Sequence, residues 1–249
     1  MEWNDRGVIL RHGWFREADM WLKILFRKRG LATVFAFGAA KSKIRFCGCL
    51  DTFNTIDARI KTSSLNNYIN LQEASLIATP SRLRKNWRLM GVGHNCLRFI
   101  EAVDIDPAAS AKCFELTENL RAWLEESSSP KPLATSFFRM RLAGLLGYAP
   151  DFGHCAVCGR EPIGGAIFRA DEGLTYCLDC APDTPDRGRT VSLAPRALAS
   201  LRSTDSSLPG DWEIDVLDGS DRRACSRLAD AFIEYHLGLK WDNGFFRRV

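Results

Sequence analysis

The spacing of four cysteines in the second half of the chain constrains the fold more than any other feature. Cys155 and Cys158 form one C-x2-C pair, and Cys177 and Cys180 form another, with eighteen residues between the pairs. Each pair turns two thiols toward the same side, so the two pairs together supply four soft ligands for one tetrahedral zinc ion. A shell of four thiolates leaves no position for a substrate, and the spacing therefore predicts a structural metal.

A disulfide framework is the competing interpretation of a chain with nine cysteines. The other five have no paired spacing, and the first residues lack the basic start and apolar run of a signal peptide. We therefore expect a reducing, cytoplasmic environment, in which paired thiols bind metal more often than each other. A redox-active or vestigial dithiol site remains the alternative. No apolar run approaches the roughly 18 residues that span a membrane, so a membrane role is not expected.

The first sixty residues predict a small β domain. Apolar residues recur at every second position in three segments, and each set is expected to share one face of a strand. The sets are Met20, Leu22, Ile24 and Phe26; Leu31, Thr33, Phe35 and Phe37; and Ile44, Phe46 and Leu50. Short antiparallel strands lose their exposed edges when the sheet closes. We therefore expect a barrel, with most of its aromatic rings in the core.

A basic stretch without any acidic residue covers residues 23–45. Like charges without compensation repel one another and favour a polyanion, so the stretch predicts nucleic-acid contacts, with a solvated surface as the alternative. The candidate contacts are Lys23, Arg27, Lys28, Arg29, Lys41, Lys43 and Arg45. Residues 155–249 carry twelve basic and fifteen acidic residues. The cysteine-containing half is therefore not expected to be the main nucleic-acid surface.

From about residue 64 the apolar period becomes helical. Three sets follow the helical spacing: Leu116, Leu120, Trp123 and Leu124; Phe138, Leu142, Leu145 and Leu146; and Leu228, Phe232, Tyr235 and His236. Between the cysteine pairs, residues 166–169 and 174–176 flank an Asp-Glu-Gly turn and predict a small hairpin.

Catalytic motifs are missing from the sequence. It contains no phosphate loop, no G-x-S-x-G elbow and no H-E-x-x-H pair. We therefore predict a protein that is not an enzyme. Two other functions remain open: a zinc-dependent enzyme that processes nucleic acid, and a zinc-ribbon adaptor that acts mainly through protein partners.

Three segments of the chain resemble the RecO family of bacterial recombination mediators. The first runs from Arg16-Glu17-Ala18-Asp19 through Arg29-Gly30 to the Ala39-Ala40-Lys41-Ser42-Lys43 loop. The second joins the helix at 138–142 to Leu-Leu-Gly-Tyr-Ala-Pro at 145–150 and to the first cysteine pair, in register. The third is the Tyr-His-Leu-Gly end of the helix at 235–238. The second is the most specific of the three, and the resemblance covers nearly the whole chain.

This resemblance implies an α+β multidomain protein with an N-terminal OB-fold barrel, a helical bundle and a zinc-binding insertion. It implies that the chain binds single- and double-stranded DNA, anneals complementary strands and helps load recombinase onto protein-coated single strands. The partners that it implies are RecR, the single-strand DNA-binding protein and, indirectly, the RecA filament. It also implies a bacterial, nucleoid-associated location.

The predicted domain boundaries combine these observations. Residues 1–79 form the OB-fold domain and residues 80–150 the helical domain. Residues 151–184 form the four-cysteine zinc motif, with one structural Zn2+ held by Cys155, Cys158, Cys177 and Cys180. Residues 185–249 complete the helical domain.

Overall fold

The computed structural model describes residues 1–62, 68–181 and 189–249, which form two compact units. The first unit contains Met1–Met90 and Val103–Glu126, and the second contains Gly91–Ala102 and Ser127–Val249. Among the described residues, no helix is both long enough and apolar enough to cross a membrane.

Five strands of the first unit close into a barrel. They are β1 (Glu2–Trp14), β2 (Met20–Phe26), β3 (Gly30–Ala36), β4 (Thr55–Thr62) and β5 (Ile69–Ala78), in the order β1-β2-β3-β5-β4. Antiparallel pairing joins β1 to both β2 and β4, and a short parallel contact between Phe35 and Asn70 joins β3 to β5. Residues 2–8 of β1 pair with β4 and residues 7–14 pair with β2, and the pairing with β2 has an irregularity between Ile9 and Arg11.

The barrel core confirms the predicted inner face of β2. Met20, Leu22, Ile24 and Phe26 are all buried in one cluster with residues of the other four strands. Gly30 ends the turn after β2 with φ 72°, and a Cβ there would lie 3.0 Å from both the Ile105 carbonyl and the Ser110 hydroxyl. Glycine is therefore required at this turn by conformation and by space.

The predicted inner face of β3 is wrong. Val34 and Ala36 are buried in the barrel core, opposite Leu22 and Met20 in register, whereas Thr33 is exposed and Phe35 only half-buried. Apolar residues occur on both faces of this strand, so alternation alone does not indicate which face points inward. The smaller side chains of Val34 and Ala36 fill the interior, and the phenylalanines lie outside.

The third predicted strand is also wrong, because residues 42–50 form turns and not a strand. Ile44 is 86% exposed, and Phe46 is buried next to a turn closed by the Cys49 N–H, which donates to the Phe46 carbonyl. The predicted change to helical structure at about residue 64 is also wrong, because the helices begin later in the chain. Residues 63–67 lie outside the described residues, β5 follows, and the first α-helix begins at Trp87.

Five α-helices are described: α1 (Trp87–Ala102), α2 (Pro107–Glu126), α3 (Ala134–Leu145), α4 (Pro195–Ser206) and α5 (Gly219–Leu237). Seven residues of the predicted helical sets are buried, whereas Tyr235 is 49% exposed and the other four are half-buried. The seven are Leu116, Leu120, Leu124, Phe138, Leu142, Leu228 and Phe232. In the first unit, α2 packs against β1, β2 and β3. In the second unit, α3, α4 and α5 pack against one another.

A four-stranded sheet carries the cysteine pairs in the second unit. It contains β6 (Asp151–Cys155), β7 (Ala166–Arg169), β8 (Leu174–Cys177) and β9 (Thr190–Leu193), in the order β6-β8-β7-β9. Strands β7 and β8 form the predicted hairpin. Phe152 and Phe168 pack with ring centroids 5.1 Å apart, and Phe168 also approaches Phe232 of α5. The sheet is thereby attached to the helices through aromatic packing.

The end of the chain folds into a hairpin that the sequence patterns did not predict. It consists of β10 (Leu239–Asp242) and β11 (Phe245–Arg248). The ring of Phe246 lies 5.0 Å from that of Phe99 in α1.

Glu125 of α2 fixes the segment that follows the barrel. Its carboxylate accepts the backbone N–H groups of Ser81, Arg82 and Leu83 at 2.8–3.0 Å, together with the Ser81 hydroxyl. Burial raises the pKa of this carboxyl, but the four donors together lower the pKa below its ordinary value of 4.5. Hydrogen bonds to the ionised form are therefore stronger than those to the neutral acid.

Replacing Glu125 with Ala is expected to destabilise the protein by about 1–2 kcal/mol at pH 7, since these bonds involve a charged acceptor. A carboxyl with a lowered folded pKa stabilises the fold above its unfolded pKa and loses that effect as pH falls. The difference between variant and wild type should therefore shrink below about pH 4.5. Urea unfolding at pH 7 and pH 3.5 measures this. The exposed neighbour Glu126, replaced by Ala, is the control, and an equal loss at both pH values would contradict the charge-based explanation.

Candidate metal centre and nucleic-acid surface

The structure brings together the four cysteines of the predicted metal site. All four Sγ atoms lie within 4.8 Å of one another, and those of Cys158 and Cys177 are 3.9 Å apart. A tetrahedral ion with metal–sulfur bonds of about 2.3 Å requires sulfur–sulfur separations of about 3.8 Å. The donor type and the spacing of the cluster therefore fit a metal ion bound by thiolates.

Local backbone geometry explains this convergence. Cys155 ends β6 and Cys177 ends β8, and these two strands are paired. After Cys155 the chain turns so that the Gly159 N–H donates to the Cys155 carbonyl at 2.9 Å, and Gly159 has φ 68°. After Cys177 a similar turn brings the Cys180 N–H to the Cys177 carbonyl at 3.0 Å. Each turn therefore brings the second cysteine of a pair close to the first.

The electrostatics of the cluster favour a bound cation. Burial raises the pKa of Cys155, but backbone N–H donors from Cys158, Cys177 and Val157 together lower that pKa to about 6. The Arg160 backbone N–H and guanidinium lower the pKa of Cys158. The pKa of Cys180 is raised to about 12, first by the hydrogen bond with Cys177 and then by burial. The thiols cannot all ionise side by side unless a positive ion offsets their repulsion.

The basic stretch is divided among several surfaces of the barrel. Arg27, Lys28 and Arg45 line an open groove of about 860 Å³, which we call the barrel groove. The groove lies along the outer faces of β1, β4 and β5, where Arg6 and Arg59 also line it. Arg6 and Arg59 were not among the predicted contacts, because both lie outside the acid-free stretch of residues 23–45.

Ion pairs hold these two arginines in place. The Arg6 guanidinium donates to Asp57 twice, from Nε to Oδ1 at 2.8 Å and from Nη2 to Oδ2 at 3.0 Å. These bonds lower the pKa of Asp57 and raise that of Arg6. Arg59 lies 3.3 Å from a Glu2 oxygen and 3.7 Å from a Glu73 oxygen. Both pairs are exposed, so they orient the cations more than they stabilise the fold.

The remaining four predicted contacts lie elsewhere on the first unit. Lys23 is on the outer face of β2, paired in register with Arg11 and Thr33. The Arg29 guanidinium lies 4.6 Å from the centre of the Trp3 ring. Lys41 and Lys43 are exposed on the segment after β3. Three of the seven predicted residues therefore line the barrel groove, and four do not.

Comparison with known proteins identifies the class to which this architecture belongs. The family model described as "Recombination protein O N terminal" matches residues 1–80, and that described as "Recombination protein O C terminal" matches residues 84–243. The two models together match the barrel and the helices that follow it. The domain organisation is therefore that of one known class of recombination protein.

Individual relatives agree with these models over almost the full length. "DNA repair protein RecO" of Nitratidesulfovibrio vulgaris is 43% identical over 255 residues and that of Lawsonia intracellularis is 37% identical over 254, with all of each chain covered. The protein of that name from Anaeromyxobacter sp. is 31% identical, covering 94% of this chain and 91% of its own. The chain belongs to the RecO family, which confirms the resemblance drawn from its motifs.

Five cysteines lie outside the cluster, and four of them are buried. Burial raises the pKa of Cys49 and Cys113 to about 11 and that of Cys225 to about 12, and it also raises the pKa of Cys96. Cys47 is exposed. Since the thiolate is the reactive form, these environments predict very different rates of alkylation.

With N-ethylmaleimide at pH 7, Cys47 is expected to react fastest among these five cysteines. The other four should react only after urea unfolds the protein, because they are inaccessible and protonated. Peptide mass spectrometry with fragmentation locates each modified residue, and a Cys47→Ser variant serves as the control. Rapid modification of Cys96 or Cys225 in the folded protein would contradict the described packing.

Proposed function

We propose that this chain is a DNA repair and recombination mediator that binds single- and double-stranded DNA, anneals complementary strands and helps load recombinase. Its membership of the RecO family supports a role in DNA repair and recombination, and the names of its relatives agree. The partners proposed are RecR, the single-strand DNA-binding protein and, indirectly, the RecA filament, in the bacterial nucleoid. These partners follow from the family resemblance.

The proposed DNA-binding element is the barrel, which we infer to be an OB fold. Its strand order β1-β2-β3-β5-β4 and its closure through a β3–β5 contact support this inference. OB folds bind oligonucleotides on their outer strands and loops. We retain residues 1–79, 80–150, 151–184 and 185–249 as the proposed functional divisions, of which the boundary after residue 184 lies outside the described residues.

The observation that carries the proposal is the convergence of cations on the barrel groove. Arg27 and Lys28 come from the β2–β3 turn, Arg45 from the segment after β3, Arg6 from β1 and Arg59 from β4. Residues so distant in sequence line one groove only in the folded barrel. Cations in such a groove can contact a phosphate backbone and release its condensed counterions.

Charge in the groove is balanced in a way that suits reversible binding. Asp5, Asp57 and Glu73 also line it, which limits the net attraction for a polyanion. A mediator that pairs two strands must hold each of them while the repulsion between their phosphates is lowered, and must then release the product. Because the acidic residues partly neutralise the groove, the paired product can dissociate from it more easily.

We further propose that Cys155, Cys158, Cys177 and Cys180 hold one structural Zn2+. Four thiolates complete a tetrahedral shell, so the ion would fix the turns of β6 and β8 and would offer no site for substrate. This donor set supports a binding role for the protein over catalysis. The acid-rich composition of residues 155–249 supports placing DNA contacts mainly on the barrel.

Salt dependence tests the groove. If its five cations each meet one phosphate of a single strand, log K against log[salt] should have a slope of roughly −3.5, since each contact contributes about −0.7. Replacing Lys28 and Arg45 with Glu should bring the slope to roughly −2 and slow strand annealing. Fluorescence anisotropy at several salt concentrations gives the slope.

A second double variant is the matched control for this measurement. Lys85 and Lys112 are exposed residues of the same unit and do not line the groove. Replacing both with Glu changes the net charge by the same amount and should leave the slope near the wild-type value. An equal effect of the two double variants, or a slope near zero for the wild type, would contradict the proposed groove.

Loss of a cysteine ligand tests the zinc. A Cys158→Ser variant should lose its metal and show a lower melting temperature, while its DNA affinity changes less, because the ion supports the sheet in the second unit. Elemental analysis, calorimetry and anisotropy measure the three quantities, and Cys47→Ser is the control. Loss of DNA affinity with an unchanged melting temperature would contradict a structural role.

A further inference from the structure

Four aromatic side chains gather on the outside of the barrel, at a place that the barrel groove does not include. They are Phe15, Phe35, Phe37 and Tyr68, and we call them the aromatic patch. The ring of Phe35 is central: its centroid lies 5.4 Å from that of Phe15, 6.3 Å from that of Phe37 and 5.2 Å from that of Tyr68. The rings of Phe35 and Phe37 are nearly parallel, at 20°.

Strand register explains why the patch faces outward. Val34 and Ala36 point into the barrel core, so Phe35 between them points out. It pairs in register with Trp21 of β2, which itself pairs with Gly13 of β1. A Cβ at Gly13 would come within 2.7 Å of the Trp21 indole, so this glycine leaves the space in which the indole lies against β1.

Exposure distinguishes the patch from a core. Phe15 is 39% exposed and Tyr68 is 49% exposed, while Phe35 and Phe37 are half-buried. Neighbouring aromatic rings that remain accessible to water mark an interaction site more often than isolated exposed residues do. The alternating pattern of the sequence predicts that most of the aromatic rings lie in the barrel core. The structure shows that Phe35 and Phe37 lie outside it.

Basic side chains lie around the patch, and their positive charge favours an anionic ligand. The Arg16 guanidinium lies 5.6 Å from the Phe15 ring centre, and that of Arg11 lies 5.2 Å from the Trp21 ring centre. Lys23 lies next to Trp21 on the same outer face of β2. The nearby acid Asp19 accepts the Gly38 N–H at 2.7 Å, so it also serves the local fold. Aromatic faces between cations suit bases joined by phosphates.

The basic segment after β3 is fastened next to the patch. The Ala40 N–H donates to the Ala18 carbonyl at 3.1 Å, which ties this segment to the turn that carries Phe15. The Arg45 guanidinium donates to the Phe37 carbonyl at 2.7 Å. Lys41 and Lys43 are exposed on the same segment. A strand whose bases meet the patch therefore has cations beside its phosphates.

We propose that the aromatic patch stacks unpaired bases of single-stranded DNA. This inference rests on the proposed DNA-binding function and deepens it by separating two kinds of contact. The barrel groove contacts phosphates, which every strand has, whereas the patch contacts base faces, which a duplex hides in its own stack. The patch consequently gives the barrel a preference for single strands that is tolerant of sequence.

An abasic strand provides the test, because it has the phosphates of a thymidine oligonucleotide of equal length but no bases. Wild-type protein should bind the thymidine strand at least about tenfold more tightly than the abasic strand, as expected for one or more stacked bases. Replacing both Phe15 and Tyr68 with Ala should remove this preference. Affinity for the abasic strand and for duplex DNA should stay the same.

Trp87→Ala is the matched control, since Trp87 is an exposed aromatic residue with an arginine 5.2 Å from its ring centre and lies outside the patch. It should retain the preference. Photocrosslinking of wild-type protein to a strand with 5-iodouracil needs no variant, and it should modify peptides that contain Phe15 or Tyr68.

The possible failures can be told apart. Equal binding of both strands by the wild type would overturn the patch proposal and leave the groove intact. A double variant that keeps the full preference would also overturn it. Wild-type protein that binds neither strand would overturn the proposed function itself.

Discussion

The pairing of β1 with two different strands is the constraint on which the first unit depends. Residues 2–8 pair with β4 and residues 7–14 with β2, and the β2 pairing is irregular between Ile9 and Arg11. This arrangement lets a five-stranded sheet curve far enough for β3 to meet β5. Once the sheet is closed, every strand has one face in a shared core and one face outside, and the outer faces become available for binding.

Closure places two chemically different surfaces on one barrel. The groove along β1, β4 and β5 is lined by arginines that carboxylates hold in position, and the face of β2 and β3 carries aromatic rings with cations around them. A nucleic acid offers two matching features, namely charged phosphates and flat bases. Under the proposed function, separate surfaces for these two features would allow the protein to bind single strands and duplexes differently while using the same small fold.

The cysteine cluster follows from local sequence in a way that the barrel surfaces do not. Each C-x2-C pair forms a turn whose hydrogen bonds lie within five residues, and a short hairpin connects the two turns. Both the cluster and the hairpin were predictable because they depend on near neighbours. The same holds for α2, α3 and α5, whose apolar period indicates the buried side.

Sequence alone determined the family, the cysteine cluster, the main helices and the basic character of the N-terminal region. Tertiary structure decided which residues of β3 face the core, because that strand has apolar residues on both faces and only the size of the interior selects Val34 and Ala36 over the phenylalanines. It also decided which cations meet. Arg6, Arg27, Arg45 and Arg59 come together through pairing between strands that are distant in sequence, and no local pattern records such pairing.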